Sequence, residues 1–172
     1  MMMRMLEAGG MSALTDNLRI ADEDNPRGYY EFEPVKQIEH DASWLEDAQG
    51  RVVKMVAALL KHLPPEYTYC IVFMRRKVEE VLASQRTMLE HRGEPAEQVS
   101  DERMAALYRK HVQRIEAWLS EQPNIEVLYV DYGQVLVDPA GEARRVNLFF
   151  EDALDEDRMA SVVEPALYRQ RS

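Results

Sequence analysis

An α/β fold, a parallel sheet flanked by helices, is predicted by three observations. The run Tyr67-Thr68-Tyr69-Cys70-Ile71-Val72-Phe73-Met74 is β-branched and aromatic without a break, as a strand covered on both faces should be. Directly after it, Val78, Val81, Leu82, Gln85, Met88 and Leu89 recur at helical spacing on one stripe that closes at Gly93. A second apolar run, Ile125 to Val130, follows another long helical pattern, so strands and helices alternate.

Taken in order, Met1 to Gly10 reads as a helix, and Thr15 to Tyr30 as a polar irregular stretch with Asp22-Glu23-Asp24-Asn25-Pro26 as its strongest loop signal. Pro34 suits the first turn of a helix that carries Val35, Ile38, Ala42 and Leu45 on one side and ends at Gly50. Arg51 to Ala57 reads as a short strand. Leu59 to Leu63 reads as a helical turn stopped by Pro64-Pro65. After the strand of Cys70 and its helix comes a polar loop from Gly93 to Val99. Ser100 then caps a long helix bearing Met104, Leu107, Tyr108, Val112, Ile115, Trp118 and Leu119, closed by Pro123. Beyond the second strand, Ala140 to Phe150 forms a helix, and the acidic run Glu151 to Asp157 leads to a last short helix and a basic tail. No internal repeat interrupts what reads as one domain over residues 1–172.

Composition narrows the function classes. Hydrophobic residues make up 46% and charged ones 30%, a globular balance with material for a core. A formal net charge of −10 argues against general affinity for nucleic acid or an anionic membrane, so any anion site must be local. No apolar run approaches the roughly 20 residues that cross a bilayer, and Glu7 interrupts the opening methionines too early for a signal peptide. A cytoplasmic protein is expected, in keeping with the lone Cys70, which has no cysteine to pair with. Its place within a strand predicts a buried, inert thiol. His40, His62, His91 and His111 are scattered without metal-ligand spacing, so no metal is expected.

Arg75-Arg76-Lys77 stands out against that acidic background. In open α/β sheets ligands bind outside the carboxyl ends of the strands, where these residues fall. Ser84 lies eight positions after Arg76, two turns into the following helix at the border of its apolar stripe. There its hydroxyl would share an anion with the Arg76 guanidinium, whose planar fork matches phosphate oxygens.

The segment Phe73-Met74-Arg75-Arg76-Lys77-Val78-Glu79-Glu80-Val81-Leu82-Ala83-Ser84-Gln85 resembles the motif with which sulfotransferases hold the 3′-phosphate of 3′-phosphoadenosine-5′-phosphosulfate (PAPS). The resemblance implies that Arg76 and Ser84 are the two 3′-phosphate ligands. It departs from the family at Lys77-Val78, where Asn-Pro or Asp-Pro is frequent. Asn25-Pro26-Arg27-Gly28-Tyr29-Tyr30-Glu31, Val130-Asp131-Tyr132, Asp138-Pro139 and Leu167-Tyr168-Arg169 resemble further elements of the bacterial branch. Near the C-terminus Arg169 and Arg171 would fold back over the nucleotide.

The family implies a P-loop NTPase-like fold, whose phosphate loop lies between the first strand and first helix. No such loop occurs in these 172 residues. Met1 to Gly10 resembles the helix that follows it, and three opening methionines suggest a misplaced start, with a strand and loop of roughly 10–20 residues missing. Neighbouring strands would then close over the gap, or a homo-oligomer would lend an edge.

The chemistry implied is transfer of a sulfuryl group from PAPS to a hydroxyl or amine of a small-molecule or glycan acceptor, bordered by Thr15 to Tyr30. Such transfer needs positioned cations and a base for the acceptor proton. Glu31 is the expected base, with Glu33 its competitor; Lys54 stays outside the site. Without the phosphate loop, turnover by this chain should be weak or absent. Two other readings are a non-catalytic nucleotide-binding or interaction protein of P-loop descent, and a nucleotide kinase, the latter disfavoured by the lack of a Walker-type lysine.

Overall fold

The computed structural model describes residues 1–16, 18, 28–91 and 100–164. The expectations for Asp22 to Arg27, for the Gly93 to Val99 loop and for the tail with Leu167, Tyr168, Arg169 and Arg171 lie outside those residues.

Helix α1 (Met2–Ala8) opens the chain. Strand β1 (Tyr69–Arg75) leads into α2 (Val78–His91), then α3 (Asp101–Ser120) and strand β2 (Ile125–Asp131). Three helices complete it: α4 (Tyr132–Val137), α5 (Pro139–Phe149) and α6 (Glu156–Ser161). Among the described residues the sheet has two strands, β1 and β2, which pair in parallel from Tyr69 opposite Ile125 to Arg75 opposite Asp131. The two apolar runs are thus direct neighbours, and their carboxyl ends, with Arg76 and Tyr132 just beyond, lie side by side.

Both faces of the sheet are covered, which is why the strands read as continuous apolar runs. Val72, Met74, Leu128 and Val130 face one core, with Met2, Met5 and Leu6 of α1, Val135 of α4, Ala143 and Val146 of α5 and Met159 of α6. The alternate residues Ile71, Phe73, Ile125, Val127 and Tyr129 face the other, with Leu60 and with Val112, Ile115, Trp118 and Leu119 of α3. This is the period-two alternation of a strand sorted into two layers. Met5, Val130, Val135 and Met159 are essentially inaccessible. Each such side chain removed from water contributes about 1.5–3 kcal/mol.

The helix ends are set by side chains. Ser100 caps α3 by accepting from Arg103 N–H, Asp131 caps α4 through Gln134 N–H, Asp138 caps α5 through Gly141 N–H and Asp155 caps α6 through Arg158 N–H. Glycine at 141 makes room for this cap: a Cβ there would come within 2.1 Å of an Asp138 carboxylate oxygen unless that side chain moved.

Four expectations are corrected. The helix expected from Pro34 to Leu45 is a pair of 3₁₀ turns, Glu33–Gln37 and Ser43–Leu45. Asp41 accepts from Ser43 N–H at 3.0 Å and breaks the run, yet Val35, Ile38 and Leu45 still pack with Trp44 and Leu14 in a third core cluster. The strand expected from Arg51 to Ala57 is only an isolated parallel bridge between Ala13 and Val52. Thr15 and Asp16 turn instead to the Glu31 carbonyl, so no ladder can extend. Cys70, expected to be buried, is exposed near the amino end of β1. Partial desolvation, then Glu126 and Glu151, push its thiol pKa up and so disfavour the thiolate. Within α3, Leu107 and Tyr108 also face outward rather than into the core.

Candidate functional site

At the carboxyl end of β1 the chain turns through Arg75 and Arg76 into α2, whose first-turn amides begin by bonding the Lys77 carbonyl. The strand's alternation separates the two arginines. Arg75 follows Ile71 and Phe73 toward α3, where its Nε donates to Glu116 at 2.9 Å and its guanidinium lies 4.0 Å from the Tyr129 ring centre. Arg76 turns to the junction of α2 and α4. Its Nε donates to Glu80 at 2.9 Å, and its guanidinium carbon lies 4.9 Å from the ring centre of Tyr132, the first residue of α4. Only a quarter of the Arg76 side chain is exposed (25%), so it is held rather than splayed into solvent.

Ser84 is half-buried on α2. It stands four residues after Glu80, about 6 Å along the axis and on the same helical face. Glu80, between Arg76 and Ser84 in sequence, is the group bonded to the guanidinium. Glu80 and Tyr132, although part of the quoted segments, carry no site role in the sequence analysis. For Glu80 the available signal is its spacing of four from Arg76, and for Tyr132 its place just past the second strand. Burial, outweighing the favourable Arg76 charge, pushes the Tyr132 phenol pKa up, so the ring faces Arg76 in its neutral form.

Glu31 lies in a different part of the molecule's loop structure. Its carbonyl accepts from Thr15 Oγ1 at 3.0 Å and from Asp16 N–H at 3.2 Å. Neighbouring Tyr29 is held through its carbonyl by Lys54 Nζ at 2.8 Å. Tyr30 has the left-handed φ of 52°, uncommon outside glycine, and its hydroxyl donates to Glu7 of α1 at 2.5 Å. Burial, then the bond to Glu7, push the Tyr30 pKa up to about 12. The segment carrying Glu31 is thus tied to α1, to the Thr15 region and to Lys54. Glu33 is engaged otherwise, accepting from Lys36 on an exposed turn.

Beside the basic turn, between α2, α3 and the end of β1, lies a groove of about 330 Å³ lined by Phe73, Arg76, Val78, Arg109, Val112 and Glu116, among others. Arg109 pairs across it with Glu79 at 2.7 Å. Among the described residues no cluster of histidine, cysteine and carboxylate side chains could hold a metal ion. Nor is any helix there long and apolar enough to cross a membrane.

Fold and site define a mixed α/β protein whose helix-flanked parallel strands end at a basic turn. Residues 6–156 match the model of the family described as Sulfotransferase family, and the chain belongs to that family. Comparison with curated proteins and with solved structures finds no match.

Proposed function

We propose that this chain binds PAPS through its 3′-phosphate, with Arg76 and Ser84 as the ligands, and belongs to an enzyme that moves the sulfuryl group to a hydroxyl or amine of a small-molecule or glycan acceptor. The observation that supports this reading is the position of Arg76, just past the carboxyl end of β1 with its guanidinium bonded to Glu80 and beside the Tyr132 ring, followed by α2, which carries Ser84. A guanidinium fork and a hydroxyl are the donors a phosphate monoester needs. In the transfer from PAPS the bond between sulfur and the oxygen bridging to the 5′-phosphate breaks, the electron pair leaving with 3′,5′-adenosine bisphosphate, while the acceptor oxygen or nitrogen bonds to sulfur and loses its proton. Glu31 takes that proton in this reading, on a segment that its neighbours hold firmly.

The 172 residues carry no Gly-rich loop for the 5′-phosphosulfate, so leaving-group stabilisation must be slight in the chain as given. Loss of even one donor of that kind commonly lowers rates by about 10²–10³. Binding of 3′,5′-adenosine bisphosphate without appreciable turnover is the expected behaviour. Titration calorimetry on the wild-type chain and on Arg76→Ala tests the assignment. Weak but measurable affinity that disappears in Arg76→Ala supports it, and equal affinities reject the site.

A further inference from the structure

Arg76 is gripped on two sides. Its Nε donates to Glu80 Oε2 at 2.9 Å, and its guanidinium carbon stands 4.9 Å from the Tyr132 ring centre. Glu80 is only 5% exposed, the more buried of the two carboxylates in the first turn of α2. A carboxylate so far from water requires a cation and hydrogen bonds to compensate its lost hydration. The guanidinium is rigid and planar, so fixing its Nε edge and resting its plane against a ring set the direction in which its terminal nitrogens point.

Building on the reading that Arg76 holds a 3′-phosphate, we propose that Glu80 and Tyr132 are positioning residues for that anion: the carboxylate fixes the Nε edge, the ring supports the plane, and together they aim the guanidinium. The three groups come from the end of β1, the first turn of α2 and the residue after β2, so the pairing of the two strands assembles the device. The opposite reading makes Glu80 a rival anion whose charge repels a phosphate. The two differ in sign. If Glu80 aims Arg76, neutralising it weakens selection for the 3′-phosphate; if it competes, neutralising it strengthens that selection.

The experiment measures, by calorimetry, the affinity of the full chain for 3′,5′-adenosine bisphosphate and for 5′-AMP, which lacks the 3′-phosphate. The variants are Glu80→Gln, Tyr132→Leu and Tyr132→Phe. The expected result is a preference for the bisphosphate that falls about tenfold in Glu80→Gln, the scale of one charge-assisted hydrogen bond, and about threefold or more in Tyr132→Leu, the scale of a cation–π contact. Tyr132→Phe keeps the ring and should keep the preference. A general loss of structure lowers both affinities together and leaves their ratio alone, so an unchanged ratio in Glu80→Gln and Tyr132→Leu overturns the proposal. A raised ratio in Glu80→Gln does the same. Should Glu80→Gln not fold, Tyr132→Leu against Tyr132→Phe decides alone. A wild-type chain that binds both nucleotides alike removes the Arg76 site, and this inference with it; a wild-type preference that survives the variants removes the inference only.

Discussion

Tyr30 shows how single residues shape the candidate site. Its left-handed backbone costs of order 1–3 kcal/mol in a residue other than glycine, and such a conformation persists only where surrounding contacts enforce it. The contacts around it are the bonds to the flanking Tyr29 and Glu31 carbonyls and the phenol's own bond to Glu7, which together with burial moves its ionisation up to about 12. Because the folded pKa is raised, the stabilisation is complete below the ordinary tyrosine value near 10 and is lost as pH rises from there through about 12. In an alkaline absorbance titration Tyr30 should belong to the last tyrosines to ionise, beside Tyr69, whose pKa is also pushed up to about 12, mainly by burial. Tyr30→Phe should remove one ionisation from that late phase; loss of an early one instead would contradict the contact. At this scale the sequence was legible in part. Arg76 is marked by type and by its place after an apolar run, and in the structure it directly follows β1. Glu80 was hidden because one carboxylate among 31 acidic residues carries no mark of burial. Cys70 misled because a strand's apolar pattern does not say which of its ends the helices cover.

Among the elements, one capping residue was a clear signal, while the capped helix α4 after Asp131 was not expected from the sequence. Ser100 was recognised as the start of α3 because its hydroxyl precedes a strongly periodic stretch, and it accepts from Arg103 N–H as the capping rule requires. The start of α5 rests on a tighter fit. Asp138 accepts from Gly141 N–H at 2.9 Å, and a methyl group at Gly141 would collide with the same carboxylate. Gly141→Ala should therefore turn Asp138 away and destabilise the chain by about 0.5–2 kcal/mol, the usual worth of a cap. Asp138→Ala should cost a similar amount, and the double variant little more, as judged by urea denaturation. Full additivity would show that the two do not act through one contact. Other segments were read less well. The Pro34 to Leu45 segment has apolar residues at spacings that suit a 3₁₀ turn and an α-helix alike, and the Asp41 side chain resolves the matter by bonding Ser43 N–H. The short strand expected after Arg51 failed because strand formation depends on a partner, and the facing residues Thr15 and Asp16 are committed to Glu31.

For the whole molecule, two parallel strands covered on both faces fulfil the α/β expectation, and a third cluster around Trp44 packs beside them. Met55 and Leu63 touch both the Trp44 cluster and the α3 cluster, linking them. We propose that residues 1–172 form one domain that unfolds as a unit. The chain's two tryptophans report on different clusters, so Trp44→Phe and Trp118→Phe each leave a reporter in the other. Fluorescence of both variants should follow far-ultraviolet circular dichroism through one transition, each set against the midpoint of its own variant. Separated transitions would mean more than one unit. The overall layering was legible because strand and helix periods differ plainly. The number of strands that meet was not, since pairing between distant segments leaves no local trace.

The central claim is that Arg76 and Ser84 clasp a ribose-borne phosphate at the end of β1. A crystal structure of the chain with 3′,5′-adenosine bisphosphate tests it most directly. The expected result is the 3′-phosphate within hydrogen-bonding distance of both the Arg76 guanidinium and the Ser84 hydroxyl. A nucleotide whose 3′-phosphate contacts neither residue, lodged instead against Arg109 in the neighbouring groove, would contradict it.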